Sequence, residues 1–95
     1  MATDRQFNWD ANKAIRNLRK HGVTFEEAAT IFDDPMFITL IDDEHSVDEE
    51  RYITIGVSRQ HRLMIVAHTD RGGKIRIISA REATKKEKQF YVEAE

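Results

Sequence analysis

The spacing of apolar residues changes at Pro35, and this change limits the folds open to the chain. Before Pro35 apolar side chains recur at helical intervals, whereas from Met36 to Ala80 they form short, β-rich runs separated by turn residues. Helices followed by consecutive strands predict an antiparallel sheet with helices packed on it, an α+β fold. Because 95 residues is close to the usual size of one domain, we expect residues 1–95 to form a single domain.

Two helices are predicted before Pro35. The first runs from Asp10, a suitable N-cap, to Gly22, a suitable C-terminal cap. The apolar residues on one face of this helix are Ala11, Ala14, Ile15 and Leu18. The second helix begins at the capping box Thr24-Phe25-Glu26-Glu27 and ends at Asp33-Asp34-Pro35. The two together predict a helical hairpin.

Four strands and a last helix are predicted after Pro35. The strands are Met36 to Ile41, Arg51 to Ser58, Leu63 to Thr69 and Lys74 to Ala80. The last two are joined by the turn Asp70-Arg71-Gly72-Gly73, and a second capping box, Thr84-Lys85-Lys86-Glu87, opens a C-terminal helix. Phe7 and Trp9 indicate a short strand or an apolar lead-in before the first helix. The prediction is thus a four-stranded antiparallel sheet carrying two N-terminal helices and one C-terminal helix.

Charge is distributed very unevenly along the chain. The formal net charge is −2, but residues 42–50 hold six acids and no base. Residues 51–88 hold ten bases and three acids, a net charge of +7. A basic, strand-rich half predicts an anionic partner.

Several classes of site and location are disfavoured by the sequence. The chain has no cysteine, the segment Met1 to Asp10 lacks the apolar run of a signal peptide, and no apolar stretch is long enough to span a membrane. We therefore expect a cytoplasmic protein. The four histidines show no ligand spacing, and no phosphate-binding loop or nucleophile motif is present. We expect no metal and no cofactor, which leaves catalysis by charge and proton transfer.

RNA is the substrate that such chemistry suits, because its 2′-hydroxyl supplies the nucleophile. A base removes the hydroxyl proton, cations stabilise the phosphorane-like charge, and an acid protonates the leaving oxygen. Arg76 and Arg81 are the candidate cations on the last predicted strand, and Arg76 lies opposite Ile75 and Ile77 in a strict alternation. We expect both guanidinium groups to converge in one pocket that holds a phosphodiester.

Each of these residues also has a structural interpretation. A strand with Arg and Lys is often only a solvated face or a protected edge. The acidic segment is typical of a solvated loop, although Glu49 or Glu50 beside Arg51 is placed to orient an arginine or to act as a base. His21 suits the helix dipole, and Tyr91 suits a core position with a wet hydroxyl.

Several motifs resemble the BrnT family, toxins of bacterial type II toxin–antitoxin systems. They are Phe7-Asn8-Trp9-Asp10 with Asn12-Lys13, the run Lys20 to Ala28, Phe32-Asp33-Asp34-Pro35, Glu50-Arg51-Tyr52 with Ile55-Gly56, and the run Arg76 to Thr84 with Glu87 and Tyr91. The matches extend in order from residue 7 to residue 91. The resemblance implies a RelE-like fold and a ribonuclease that cleaves RNA without metal. It also implies a neutralising partner, a BrnA-like antitoxin with a ribbon-helix-helix DNA-binding domain, through which the complex binds operator DNA.

The resemblance also implies roles for particular residues. Arg76 and Arg81 match the arginines of the family's last strand, and Arg51 matches the one that opens its middle strand. Tyr91 lies where RelE-like toxins carry a functional tyrosine. We predict that Arg76 and Arg81 stabilise the scissile phosphate, that Arg51 binds or orients, and that Glu50 and His21 are candidates for proton transfer. The residues predicted to hold the RNA backbone are Lys13, Lys20, Lys74 and Lys85.

A second hypothesis is a non-catalytic interaction module. The same basic face would bind an antitoxin or another anionic partner and assist operon repression. Cleavage of RNA in EDTA by the purified protein separates this module from the nuclease. A protein that binds DNA on its own comes third, because no recognition helix or dimer motif is visible.

Overall fold

The structure, a computed structural model, describes residues 5–94. Its elements in chain order are β1 (Phe7–Trp9), α1 (Ala11–His21), α2 (Phe25–Ala29), β2 (Ile38–Ile41), β3 (Tyr52–Val57), β4 (Leu63–Arg71), β5 (Lys74–Glu82) and α3 (Lys85–Glu93). Short 3-10 turns follow α2 at Thr30–Asp33 and interrupt the acidic segment at Asp43–His45. The α+β class is confirmed, and the predicted caps form at Asp10, Thr24 and Thr84.

The prediction of four antiparallel strands is wrong, because the sheet has five strands and is mixed. The strand order is β1-β5-β4-β3-β2, and β1 runs parallel to β5. Phe7 pairs with Ile75 and Trp9 with Ile77. The segment is only three residues long and its partner is distant in the sequence, so its local pattern carries no information about this pairing. The four later strands form the predicted antiparallel meander.

One face of the sheet, which we call the helix face, packs against α1 and α2. Its core contains fully buried residues of α2, β4 and β5, such as Phe25, Val66 and Ile77. Trp9 meets the Phe25 ring edge-on at a centroid distance of 5.8 Å. Gly56 of β3 permits a close approach here, because a Cβ on it would lie 3.0 Å from the Ile31 carbonyl oxygen.

The apolar side of α1 is not the side that the residue spacing indicated. Ile15 and Leu18 are 51% and 48% exposed, whereas Asn17 is only 6% exposed. The Asn17 amide donates to the carbonyl oxygens of Val23 at 3.0 Å and Ala80 at 2.8 Å, and its oxygen accepts from the Ala80 N–H at 3.0 Å. Specific hydrogen bonds to β5 therefore hold α1 in a rotation that packs Ala14 against the core and leaves Ile15 and Leu18 exposed.

The opposite face of the sheet, which we call the open face, includes Ile53, Ile65, Ala67, Arg76 and Arg81. The helix α3 covers one end of it, where Tyr91 packs with Ile55 and Ile65. The Tyr91 hydroxyl donates to the Asp34 carboxylate at 2.6 Å, and the same carboxylate oxygen accepts from the Val57 N–H at 2.9 Å. The helix α3 therefore covers this end of the open face. The remainder of the face is not covered by α3 and carries Arg76 and Arg81.

A shift in register places Arg76 and Arg81 on the same face of β5. Ser79 pairs with Ala67 but Ile77 pairs with His68, so Ile78 is an extra residue on β5. Strict alternation would send residues 76 and 81 to opposite faces. The bulge reverses the alternation, and the two arginines lie opposite Thr69 and Ile65, which share a face of β4.

Candidate active site

A pocket of about 330 Å³ opens on the open face, at the junction of α1, β3, β5 and the acidic segment. We call it the arginine pocket. The polar and charged residues that line it are His21, Asp42, His45, Arg51, Ser79 and Arg81. Its floor is apolar and includes Ile53, Ile65, Ala67 and Ile78. Three residues predicted from the sequence to act on RNA, His21, Arg51 and Arg81, thus meet in one cavity although they are distant in the chain.

His21 reaches this pocket because α1 is anchored to the edge of β5. The strand β1 pairs with β5 only as far as Ile77. Beyond that point the Asn17 side chain bonds both backbone groups of Ala80 and takes the place of a neighbouring strand. His21 is the last residue of α1, four positions after Asn17, and therefore stands beside the same part of β5.

Arg81 is fixed by a bidentate ion pair with Glu87. Its two terminal nitrogens donate to the two carboxylate oxygens, each at 2.8 Å. The hydrogen bonds from Arg81 lower the pKa of Glu87 to about 2, and the carboxylate in turn raises the pKa of Arg81. Glu87 also accepts from the Thr84 N–H at 2.8 Å as part of the capping box. The cap of α3 therefore holds the guanidinium at the pocket.

The backbone of Arg51 is hydrogen-bonded to two residues of the acidic segment, Asp42 and Ser46. The Asp42 N–H donates to the Arg51 carbonyl oxygen at 2.8 Å, and the Arg51 N–H donates to the Ser46 hydroxyl at 2.9 Å. Ser46 in turn donates to the Asp42 carbonyl oxygen at 2.7 Å. The segment expected to be a solvated loop is thus folded against the mouth of the pocket.

The expectation that Arg76 and Arg81 converge in one pocket is wrong, because Arg76 shares the face of Arg81 but does not line the arginine pocket. The two residues stand opposite Thr69 and Ile65, which four strand steps separate by about 13 Å. The Arg76 guanidinium donates to the Asn8 side-chain oxygen at 3.1 Å. Arg76 therefore forms a second cationic position along the open face, separate from the arginine pocket.

Glu49 lies at the Arg76 end of the open face. Its two carboxylate oxygens accept from the Arg71 guanidinium at 2.9 Å each. This pair lowers the pKa of Glu49, with further contributions from the charges of Arg51 and Arg76. The acidic segment is therefore tied to the sheet by charge as well as by backbone hydrogen bonds.

The remaining residues predicted to act lie elsewhere. Glu50 accepts from the Tyr52 hydroxyl at 2.8 Å, which directs it away from the arginine pocket. Tyr91 is buried and bonded to Asp34. Four exposed lysines predicted to hold the RNA backbone line no part of this pocket: Lys13 and Lys20 on α1, Lys74 at the start of β5 and Lys85 at the start of α3.

His45 and its partner Asp42 also line the arginine pocket, although neither was predicted from the sequence to act there. The His45 Nδ1 lies 2.8 Å from the Asp42 carboxylate. The Asp42 side chain is only 16% exposed, whereas that of His45 is 59% exposed. The spacing of three residues suits a one-turn contact, but only the 3-10 turn at Asp43–His45 makes the pair face the pocket.

Within residues 5–94 no three His, Asp or Glu side chains gather in a group that could hold a metal ion. No helix in the same part of the chain is long and apolar enough to cross a membrane.

The fold and the pocket define a small α+β protein in which a mixed five-stranded sheet presents an arginine-lined cavity. The family model for the ribonuclease toxin BrnT of type II toxin–antitoxin systems matches residues 9–87. This match covers most of the sequence, and the chain therefore belongs to the BrnT family.

Comparison with solved structures supports the fold. The 1.1 Å crystal structure of the Brucella abortus ribonuclease toxin BrnT matches with a TM-score of 0.62 and 20% sequence identity. The match covers 85% of this chain and 99% of that chain. A comparison with curated protein sequences gave no match.

Proposed function

We propose that this protein is a metal-independent endoribonuclease toxin that binds the scissile phosphate of RNA in the arginine pocket. The observation that carries the proposal is the convergence of His21, Arg51 and Arg81 from three separate elements on one cavity. The 2′-hydroxyl of the substrate attacks the adjacent phosphorus, so the protein needs to supply only charge and proton transfer.

Arg81 and Arg51 are the cations assigned to the reacting phosphate. A guanidinium presents parallel N–H groups that match two phosphate oxygens, and its charge offsets the negative charge that grows in the pentavalent transition state. The Glu87 pair fixes the orientation of Arg81 before RNA arrives, which lowers the entropy cost of binding.

Arg76 and the lysines are assigned to the flanking RNA backbone. Arg76 stands about 13 Å from Arg81 along the sheet, so it meets a neighbouring phosphate and not the scissile one. Lys20, Lys74 and Lys85 stand at the ends of α1, β5 and α3, and Lys13 stands in the first turn of α1, all with exposed side chains. These contacts add affinity without sequence preference.

The proposed partner is a BrnA-like antitoxin with a ribbon-helix-helix DNA-binding domain. Membership of a type II family implies a protein antitoxin. Acidic side chains of such a partner would occupy the arginine pocket and block RNA. Operator DNA would be bound through the antitoxin.

Incubation of the purified protein with total RNA in EDTA tests the nuclease. The wild type should cleave, and Arg81→Ala should lower the rate by roughly 100-fold, because a preorganised donor to the transition state is lost. The double variant Arg81→Gln with Glu87→Gln removes both charges and should be equally inactive, which rules out an effect of the carboxylate freed in the single variant.

Arg59→Ala is the matched control. Arg59 is an exposed arginine bonded to Asp33 in the turn after β3, outside the arginine pocket. It should retain wild-type activity. If Arg81→Ala cleaves as fast as Arg59→Ala, the assignment of the phosphate site is wrong.

The alternative, a binding module without catalysis, is favoured by one observation. Arg81 also borders a mostly apolar pocket formed with Leu40, Ile53 and Phe90, a combination suited to an acidic and apolar peptide segment. If the wild-type protein leaves RNA intact in EDTA and still binds the product of the adjacent antitoxin reading frame, this alternative replaces the nuclease.

A further inference from the structure

We propose that His45, held by Asp42, is the general base of the reaction and that His21 is the general acid. This assignment rests on the proposed ribonuclease function and gives each proton transfer a specific residue. Both histidines line the arginine pocket together with the two assigned phosphate cations.

The position of His45 is fixed by the fold of the acidic segment. The Asp42 N–H donates to the Arg51 carbonyl oxygen and the Arg51 N–H donates to the Ser46 hydroxyl, and these two bonds tie the segment to the start of β3. The 3-10 turn then carries His45 to the pocket, which Arg51 also lines. Five backbone and hydroxyl hydrogen bonds hold this turn and join it to Arg51, so the imidazole stands on a folded turn and not on a free loop.

The Asp42–His45 pair has the geometry of a base and its orienting group. The Asp42 carboxylate lies 2.8 Å from Nδ1 and is mostly buried, whereas the ring is mostly exposed. A proton on Nδ1 bonded to this carboxylate leaves Nε2 to accept a proton, and the carboxylate stabilises the imidazolium that forms. Asp42 is a positioning residue in this scheme.

His21 is suited to the opposite role. It is the last residue of α1, where the helix dipole stabilises positive charge. Arg19 and Lys20 precede it in the same turn and do not supply a carboxylate that would make it a base. An imidazolium at this position donates a proton to the leaving oxygen.

The step balances without a further reactant. The proton of the 2′-hydroxyl passes to His45 Nε2, and the 2′ oxygen forms a bond to phosphorus. The bond from phosphorus to the 5′ oxygen breaks, and this oxygen takes the proton of His21. The products are a 2′,3′-cyclic phosphate and a 5′-hydroxyl, and the histidines end with exchanged protonation states.

Several charged groups line the two pockets that border His45. They are Asp42, Glu44, Asp48 and Glu49 of the acidic segment, Arg51 just before β3, Arg81 of β5 and His21 of α1. Substitution of Asp42 alone leaves the other groups in place, so a change in kcat reports the loss of the Asp42–His45 contact.

The first experiment measures single-turnover cleavage of a short RNA that contains a site mapped in the total-RNA digest. His45→Asn and His21→Asn should each lower the rate by roughly 100-fold or more, the usual contribution of a general base or acid. The control is His61→Asn, because His61 is exposed, lies outside the arginine pocket and has a φ of 65° that asparagine tolerates. Circular dichroism should show all three variants folded.

The second experiment separates the two roles by the leaving group. An RNA with sulfur in place of the 5′ oxygen has a leaving group that needs no proton. This substrate should restore most of the rate of His21→Asn and none of the rate of His45→Asn. The reverse pattern would overturn the assignment of His45 as base.

The third experiment tests Asp42. Asp42→Asn should lower kcat about tenfold with little change in KM, because the imidazole of His45 loses the carboxylate that orients it. A higher KM with an unchanged kcat would overturn the positioning role.

The outcomes also distinguish this inference from the function on which it rests. Cleavage by the wild type together with full activity of His45→Asn would overturn the inference and leave the nuclease intact. Absence of cleavage by the wild type would overturn both.

Discussion

Arg81 shows how one residue serves both the fold and the candidate site. Its guanidinium completes the cap of α3 through Glu87 and at the same time lines the arginine pocket. The motif Arg81 to Glu87 is visible in the sequence, but a capping box alone does not reveal that its glutamate orients an arginine. The Glu87 carboxylate both caps α3 and orients the arginine of the candidate site.

Glu87→Gln tests the strength of this pair. The folded pKa of Glu87, about 2, lies below its ordinary value of 4.5, so the pair contributes stability that is present above pH 4.5 and lost as pH falls towards 2. Because the Glu87 and Arg81 side chains are 29% and 40% exposed, we expect a cost of only about 1 kcal/mol at pH 7. Urea denaturation should show the difference between the two proteins vanishing near pH 2.

The control is Glu93→Gln on the same helix, where the exposed carboxylate accepts from the Gln89 side-chain amide at 3.0 Å. It should change the free energy of unfolding by less than about 0.5 kcal/mol. An equal loss of unfolding free energy in both variants would mean that the Arg81–Glu87 ion pair stabilises the fold no more than an exposed carboxylate does.

His68 makes the fold itself sensitive to acid. It is 4% exposed, lies between the rings of Phe32 and Tyr52, and burial lowers its pKa to about 4. The unfolded chain therefore takes up a proton as pH falls below about 6.5, whereas the folded protein does so only near pH 4. Between pH 7 and pH 5 this difference should remove about 2 kcal/mol of stability.

His68→Phe should remove this part of the pH dependence. The ring contacts are retained, and the Thr54 hydroxyl keeps its 2.7 Å contact with Thr39. The free energy of unfolding from urea titrations at pH 7 and pH 5 measures the effect, with His61→Asn as the control for an exposed histidine. A loss between the two pH values as large as that of the wild type would show that another group is responsible.

At the scale of elements, Asn17 decides where α1 and its last residue lie. Replacement by leucine leaves the backbone groups of Ala80 and the Val23 carbonyl without their side-chain partner in a buried place. We expect Asn17→Leu to cost about 3 kcal/mol in the free energy of unfolding, because buried polar groups lose hydrogen bonds. Asn12→Leu, at an exposed position on the same helix, should be nearly neutral.

The effect of Asn17→Leu on RNA cleavage tests whether Asn17 also determines the position of His21. If α1 shifts on β5, His21 leaves the pocket, and the rate per folded molecule should fall together with stability. A variant that loses stability but keeps the full rate would show that the position of His21 does not depend on this anchor.

The elements were largely predictable from local sequence, but their arrangement was not. Caps, turns and alternation located α1, α2, α3 and β2 to β5 within a few residues. The place of β1 depends on pairing with a strand that follows it by more than sixty residues. The rotation of α1 depends on one amide, and the shared face of Arg76 and Arg81 depends on one extra residue, Ile78. These three features do not alter the periodic spacing of apolar residues, so that spacing does not predict them.

At the scale of the whole molecule, the exposed cations proposed to contact the RNA backbone should make RNA affinity depend on salt concentration. Each phosphate contact with single-stranded RNA contributes about −0.7 to the slope of log K against log salt concentration. Lys85→Gln should therefore reduce this slope by about 0.7 and weaken binding to all sequences alike. Fluorescence anisotropy with a non-cleavable RNA measures the slope.

The control for this measurement is Arg59→Gln, which removes a positive charge from the turn after β3, away from the open face. Its slope should equal that of the wild type. If both variants change the slope equally, RNA responds to net charge and not to a defined track across the open face.

The pairing of β1 with β5 has a consequence for synthesis on the ribosome. The first strand emerges early, yet the strand against which it lies is made only after β4. Residues that meet in the cavity extend from position 21 to position 81, so a nascent chain cannot assemble it until most of translation is over. Unfinished copies of the chain therefore lack the complete cavity, and any activity that depends on it begins only when β5 is in place.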